Sequence, residues 1–133
     1  MTQLEKAREF FSNDLYATKT TGIQIDAVSS GYAKCSLKLE NHHRNAMGQV
    51  MGGVIFTLAD FVFAVAANFE NEFFTVSTVG NIFYLNPVKG DTLYGESRIL
   101  KDGKSTAFYE IEISDNLGTK VATVTFTGTH LSK

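Results

Sequence analysis

The chain has 133 residues, enough for one domain with a substantial core and too few for a separate cofactor domain beside it. Hydrophobic residues at 44% and charged residues at 20% exclude a disordered or low-complexity chain, and a formal net charge of -2 gives no basic footprint for nucleic acid. The single cysteine, Cys35, cannot form an internal disulfide, and Glu5, Lys6, Arg8 and Glu9 stand where a signal peptide needs an apolar run, so a cytoplasmic location is expected.

Thr2 and Glu5 have capping-box spacing, and Leu4, Ala7, Phe11 and Leu15 recur on one helical face. This predicts a short amphipathic helix within an N-terminal cover over residues 1–20. From Ile23 the period becomes two: Ile23, Ile25 and Ala27 alternate with Gln24 and Asp26, before a turn at Ser29, Ser30 and Gly31. In the next strand Ala33, Cys35, Leu37 and Leu39 face one way while Lys34, Ser36 and Lys38 face the other, which makes Cys35 core filler rather than a nucleophile.

Val50 to Ala67 is apolar nearly all round, with Asp60 as its only charge. A membrane span needs about 20 residues, and an aspartate near mid-bilayer costs about 2.5 to 3.5 kcal/mol, so no membrane partner is expected. The length exceeds that of a parallel-sheet strand, and Ala59, Ala64, Ala66 and Ala67 favour helix. A helix buried on most sides requires a sheet curved around it.

Thr75 to Leu85 reads as a strand, closed by Asn86, Pro87 and a turn at Gly90 and Asp91. Asp102 and Gly103 predict a two-residue hairpin between a strand before Lys101 and one after Lys104. Tyr109, Ile111 and Ile113 alternate with Glu110 and Glu112, and Asn116 to Gly118 then turns the chain into Ala122, Val124 and Phe126. The whole chain, 1–133, is thus expected to be one α+β domain in which an antiparallel sheet wraps around one long buried helix.

Asp60 needs explaining, because an unpaired charge on such a helix is costly to bury. It fits a solvated or internally satisfied aspartate and a functional carboxylate alike. Gly52 and Gly53 open the helix and would let a ligand reach free backbone N–H groups at its positive end, an oxyanion hole in outline. Asn45, in a polar loop, could hold a carbonyl or a water, or be a plain loop residue. His42 and His43 are adjacent, without metal-ligand spacing, and are expected to face solvent; no metal is implied. His130, Lys101 and Lys104 read as exposed, while Arg44 and Lys89 are candidates for meeting phosphates.

The run Asn45-Ala46-Met47-Gly48-Gln49-Val50-Met51-Gly52-Gly53, continuing to Leu58-Ala59-Asp60, resembles the motif of PaaI-type hot-dog thioesterases. The resemblance implies a hot-dog fold and hydrolysis of an acyl-CoA thioester, with coenzyme A as part of the substrate and no other cofactor. It makes Asp60 the nucleophile or general base and the Gly52 N–H an oxyanion donor. Gly53 accompanies them, Asn45 orients the thioester or the attacking water, and Ser77 or Thr78 supplies a hydroxyl for that water. One position departs: the histidine of the family's His-Gly-Gly is Met51, which has no N–H to donate and could instead touch substrate. The rivals are a non-catalytic acyl-CoA binding module and a 3-hydroxyacyl thioester dehydratase, the latter lacking a histidine on the helix. Phe56, Phe61 and Phe63 fit core and aryl pocket alike, so the acyl group is not named.

Gly52 and Asp60 lie eight residues apart, so on one straight helix they are separated by about 12 Å along the axis and turned by roughly 80°. One thioester carbon cannot meet both, so a homo-oligomer, dimer or tetramer, with a site shared between chains is expected.

Overall fold

The computed structural model describes residues 1–132; Lys133, the end of the expected domain, lies outside the described residues. Helix α1 (Gln3–Phe11) starts at a reciprocal capping box, with the Glu5 N–H donating to Thr2 Oγ1 at 3.1 Å and the Thr2 N–H to Glu5 Oε1 at 3.0 Å. Ala7 and Phe11 bury its inner face. Leu15, expected on that face, is instead exposed. The helix has already ended, and a π-helical turn, Tyr16–Thr21, carries the chain on to Gly22 in a left-handed conformation.

Six strands follow, interrupted by one long helix: β1 (Gln24–Ser29), β2 (Tyr32–Lys38), α2 (Gly52–Asn68), β3 (Phe73–Tyr84), β4 (Thr92–Asp102), β5 (Thr106–Asp115) and β6 (Lys120–Ser132). They form one antiparallel sheet in the order β1-β2-β4-β5-β6-β3, which is the expected hot-dog architecture. The β4–β5 connection differs from the expected two-residue turn. Gly103, Lys104 and Ser105 form a three-residue loop closed by the Gly103 N–H donating to Thr106 O at 2.9 Å.

Helix α2 packs on the inner face of the sheet against β2 to β6. Leu58, Ala59, Phe61, Val62, Phe63, Val65, Ala66 and Ala67 are all buried. Two glycines set how closely the layers approach. A Cβ on Gly95 of β4 would lie 2.9 Å from Val62 Cγ2, and one on Gly128 of β6 would lie 2.9 Å from Phe63 Cζ. The helix is not enclosed on every side, however. Gly53, Thr57, Asp60 and Ala64, spaced by one helical turn each, form a stripe that the sheet leaves uncovered.

Two expectations about histidines are corrected here. His130 is only 15% exposed, and its ring bridges Thr75 Oγ1 at 2.7 Å and Asp102 Oδ1 at 2.9 Å, tying together β3, β6 and the end of β4. His43 is buried in the segment before α2, where both ring nitrogens have backbone partners. Sequence position alone made both look like loose ends, whereas cross-strand pairing brings Thr75 opposite His130. Cys35 is fully buried as expected, and burial, then the nearby Asp26 charge, pushes its thiol well above the ordinary range.

The connection between β3 and β4 is gripped by the β5–β6 turn. Asp115 is buried and accepts backbone N–H groups from Lys89, Gly90, Leu117 and Thr119 at 2.9, 2.9, 3.0 and 2.9 Å. Burial opposes its ionisation, but the four N–H groups outweigh it and hold the carboxyl well below the usual carboxylate range. A depressed carboxyl contributes stability above its unfolded value of about 4 that is lost as pH falls toward the folded value. Asp115→Asn turns an NH2 toward two of these donors and should cost about 3 kcal/mol at neutral pH, measured by urea unfolding. The gap between the two proteins should narrow below about pH 4.

Candidate active site

The loop between β2 and α2 is built to present the helix N-terminus. His43 Nδ1 accepts the Glu40 N–H at 2.9 Å, which puts the ring proton on Nε2, and Nε2 donates to Thr21 O at 2.8 Å. The His43 carbonyl in turn accepts the Met51 N–H at 2.9 Å, immediately before the helix. An Arg44–Val50 bridge and the left-handed Gly48 close the intervening loop. Within it Asn45 Oδ1 accepts from the Met47 and Gln49 N–H groups at 3.0 and 3.1 Å. The Asn45 oxygen therefore holds the loop, and its Nδ2, with no acceptor among the described residues, is the part left to meet a ligand. Arg44 is exposed and reaches Gly48 O at 3.2 Å.

Met51 occupies the N-cap position without a side-chain cap and is 55% exposed. Met51 O accepts from the Val54 N–H at 3.0 Å and from the Ile55 N–H at 3.4 Å. The N–H groups of Gly52 and Gly53 are left without acceptors among the described residues, at the positive end of a 17-residue helix. A Cβ on Gly53 would meet nothing within 4 Å, so the side-chain side of Gly53 faces open space. Gly52 abuts Tyr84, whose hydroxyl donates to Gly52 O at 3.0 Å and would lie 3.0 Å from a Cβ there. Beside them opens a cavity of about 470 Å³ lined by Gln49, Val50, Ile55, Tyr84, Leu85 and Val88. Tyr84 was not singled out in the sequence; its only signal is an aromatic two residues before the Asn86-Pro87 turn.

Asp60 lies two turns along α2, on the uncovered stripe. It sits in a second cavity of about 360 Å³ whose walls include Asp14, Leu15, Tyr16, Phe56, Thr57 and Phe61. Asp60 is exposed to solvent, as one of the readings left open by the sequence allows. Its carboxyl is still pushed above the usual range, first by desolvation among these side chains and then by the Asp14 charge. On β3, Thr78 is the bulged residue, and its hydroxyl is committed to Thr127 O at 3.1 Å. Ser77, on the same side of the strand as the helix-facing Thr75, has an uncommitted hydroxyl among the described residues. Lys89 is exposed, with its backbone rather than its side chain held by Asp115. The structure thus gathers Asn45, Met51, Gly52 and Gly53 at one end of the helix and Asp60 with Asp14 farther along it. No three His, Cys, Asp or Glu side chains among the described residues could hold a metal, and no helix is long and apolar enough to cross a membrane.

One antiparallel sheet packed on a long central helix defines the class as a hot-dog fold. The family model described as the thioesterase superfamily matches residues 47–122, and the chain belongs to that superfamily. Acyl-coenzyme A thioesterase PaaI of Escherichia coli K12 is 33% identical over 82% of this chain and 77% of its own length. Human acyl-coenzyme A thioesterase 13 is 32% identical over 70% of this chain and 68% of its own. The solved structure of E. coli PaaI, from the phenylacetic acid degradation operon, superposes with a TM-score of 0.88 at 26% identity, covering 98% of this chain and 94% of that one. A Streptococcus mutans UA159 protein solved bound to acetyl-CoA has a TM-score of 0.77 at 28% identity, covering 84% and 90%.

The Tyr84 contact carries a prediction. A hydrogen bond to the Gly52 carbonyl fixes the Gly52–Gly53 peptide plane and polarises the Gly53 N–H. Tyr84→Phe keeps the ring and removes that bond. Thioester hydrolysis should fall about fivefold in kcat, the equivalent of one net hydrogen bond of about 1 kcal/mol, with melting temperature little changed.

Proposed function

We propose that this protein hydrolyses an acyl-CoA thioester to the free acid and CoA, at a site completed by a second copy of the chain. The observation that carries the reading is the pair of groups fixed on α2. The Gly52 and Gly53 amides, without acceptors among the described residues, are available to an oxyanion, and desolvation holds the Asp60 carboxyl above the usual range. Asp60 attacks the carbonyl carbon itself or takes the proton of an attacking water. The carbonyl electrons move onto the oxygen held by the Gly52 N–H, and their return expels CoA as its thiolate. If Asp60 attacked, water then cleaves the acyl–Asp60 anhydride to the free acid; if Asp60 took a proton from water, the acid forms directly and that proton passes to the thiolate. Asn45 Nδ2 and the Ser77 hydroxyl are the uncommitted polar groups suited to orienting the thioester or the water. Met51 and Gly53 border its path, and Arg44 and Lys89 are exposed cations available to CoA phosphates. The curated relatives named as acyl-CoA thioesterases support this substrate class.

Asp60→Asn should lower kcat by about a thousandfold while the fold survives. It should also raise the melting temperature at neutral pH. A carboxyl whose folded value is raised destabilises the fold wherever it is ionised, and the amide removes that charge. Wild-type rates from thiol release would instead make Asp60 structural.

A second copy is required by distance: Gly52 and Asp60 stand about 12 Å apart along one regular helix. The edge strand β3 supports such pairing, since it is unpaired on one side and carries Val79 and Phe83 at 50% and 65% exposure. An equal mixture of Asp60→Asn chains and Gly52→Pro chains tests it. Proline is tolerated at a first helical position and removes the donor, while its Cβ would meet the Tyr84 hydroxyl at 3.0 Å, so the Gly52→Pro chain enters the mixture only after its fold is verified by circular dichroism. Random exchange should restore about one quarter of wild-type activity, because half the dimers then hold one intact site. Demonstrated exchange without recovery would overturn the shared site.

A further inference from the structure

The uncovered stripe of α2 continues past Asp60. Ala64 and Asn68 follow at one helical turn each, both half-buried, and Asn68 is the last residue of the helix. A further cavity, of about 300 Å³, opens along this stretch, walled by Phe10 and Phe11 of α1, Ala64 and Asn68 of α2, Val76 of β3 and Leu131 of β6. It shares Ala64 and Asp14 with the cavity that holds Asp60, so the two run on as one groove with Ala64 at the junction. Ring contacts join the walls of the two halves. Phe61, beside Asp60, meets Phe11 edge-on at 6.1 Å, and Phe11 meets Phe10 edge-on at 5.0 Å.

The groove has the length and lining of a path for an extended alkyl chain. Phe10, Leu15, Val76 and Leu131 are apolar side chains that folding leaves exposed along it, surface that an apolar ligand would cover. Asp14 is exposed, so its carboxylate keeps its water. The far end is fixed: Asn68 Nδ2 donates to Ala64 O at 3.0 Å and to Thr75 O at 3.1 Å, and Asn68 Oδ1 accepts the Thr75 N–H at 2.7 Å. From Asp60 to Asn68 the helix advances about 12 Å. A zigzag of C–C bonds of about 1.5 Å advances about 1.25 Å per carbon, so about nine or ten carbons span that distance. We propose that this groove holds the acyl chain of the substrate, and that the substrate class is a straight medium-chain acyl-CoA of about eight to ten carbons rather than an aryl or acetyl thioester. The proposal rests on the reading of Asp60 as the reacting carboxylate, which places the thioester carbonyl at the head of the groove. That continuity decides the occupant, because whatever follows the carbonyl has this apolar surface beside it. An aryl group would fill only the half next to Asp60 and leave the surface beyond Ala64 in water.

Two measurements on the full chain test it. The first is calorimetric binding of S-alkyl-CoA thioethers, which carry the chain but no carbonyl and so bind without turnover. A methylene covered on one side gains about half the transfer free energy of full burial, about twofold in affinity, so Kd should fall about fiftyfold from S-butyl-CoA to S-decyl-CoA and level off beyond. In Ala64→Phe the ring closes the groove about 6 Å from Asp60, and the gain should stop near about five carbons. The second is kcat/KM for thiol release from butyryl-, decanoyl- and benzoyl-CoA. Decanoyl-CoA should lead the other two by about tenfold, and Ala64→Phe should lower the decanoyl-to-butyryl ratio by about the same factor. If Ala64→Phe does not fold, Phe10→Ala, at an exposed position, takes its place and should cut the S-decyl to S-butyl affinity ratio about fivefold. Equal affinities along the thioether series would overturn the proposal, as would a folded Ala64→Phe chain with the wild-type series. If that variant dissociates the assembly while its chain-length profile is unchanged, the groove belongs to a second copy of the chain and the proposal also fails. A thioether series of the expected form in a protein that hydrolyses no acyl-CoA would sink the proposed hydrolysis and leave the groove assignment standing.

Discussion

Everything at the site depends on the packing of one apolar helix against the inner face of a six-stranded sheet. Because Val62 and Phe63 settle over Gly95 and Gly128, where a single added carbon would collide, α2 has little freedom to slide or roll. A rod fixed in this way presents its N-terminal amides at one level and Asp60 two turns farther on. The stripe carrying Gly53, Thr57, Asp60 and Ala64 is left to whatever lies outside the sheet. The same rigidity keeps these amides about 12 Å along the axis from the carboxylate of their own chain. That separation is the ground of the proposed shared site, for which the open stripe and the unpaired β3 edge are the surfaces available.

The second support is polar. His43 joins three segments through backbone atoms alone: Glu40 and Thr21 by its ring, and Met51 by its carbonyl. Through it the N-terminal cover, the loop carrying Asn45 and the start of α2 form one connected unit. Buried histidines with both nitrogens satisfied hold such junctions because each unmade bond would leave a desolvated polar group. The motif from Asn45 to Gly53 therefore does two jobs. Its Asn45 oxygen and Gly48 conformation shape the loop, while its glycine amides remain free. The exposed Met51, standing where the family motif has a histidine, occupies the N-cap without a side-chain cap.

Much of this was legible beforehand because periodicity and turn chemistry are local. The alternation through Ala33 to Leu39 and Tyr109 to Ile113, the capping box at Thr2 and the apolar run before and after Asp60 each follow from burial on one face. The spacing of Asn45, Gly52 and Asp60 was readable for the same reason, since it lies within one loop and one helix. The misses are nonlocal. His43, His130 and Tyr84 acquire their partners 22, 55 and 32 residues away, and nothing in their neighbours announces it. The β4–β5 turn lies one residue later than the dipeptide suggests, because Asp102 stays in the strand opposite Ala107 and Gly103 donates to Thr106 across Lys104 and Ser105.

The sequence by itself determined the order of elements, the sheet-and-helix class, the apolar character of α2 and the presence of a single carboxylate on it, because these depend on the residue pattern within each segment. Only the tertiary structure decided which side of α2 stays open, which amides remain unpaired and which groups set the surroundings of Asp60. Exposure and electrostatic environment are properties of what packs against a residue. For Asp60 these are first the side chains of its cavity, which desolvate it, and then the charge of Asp14, 46 positions away in the chain.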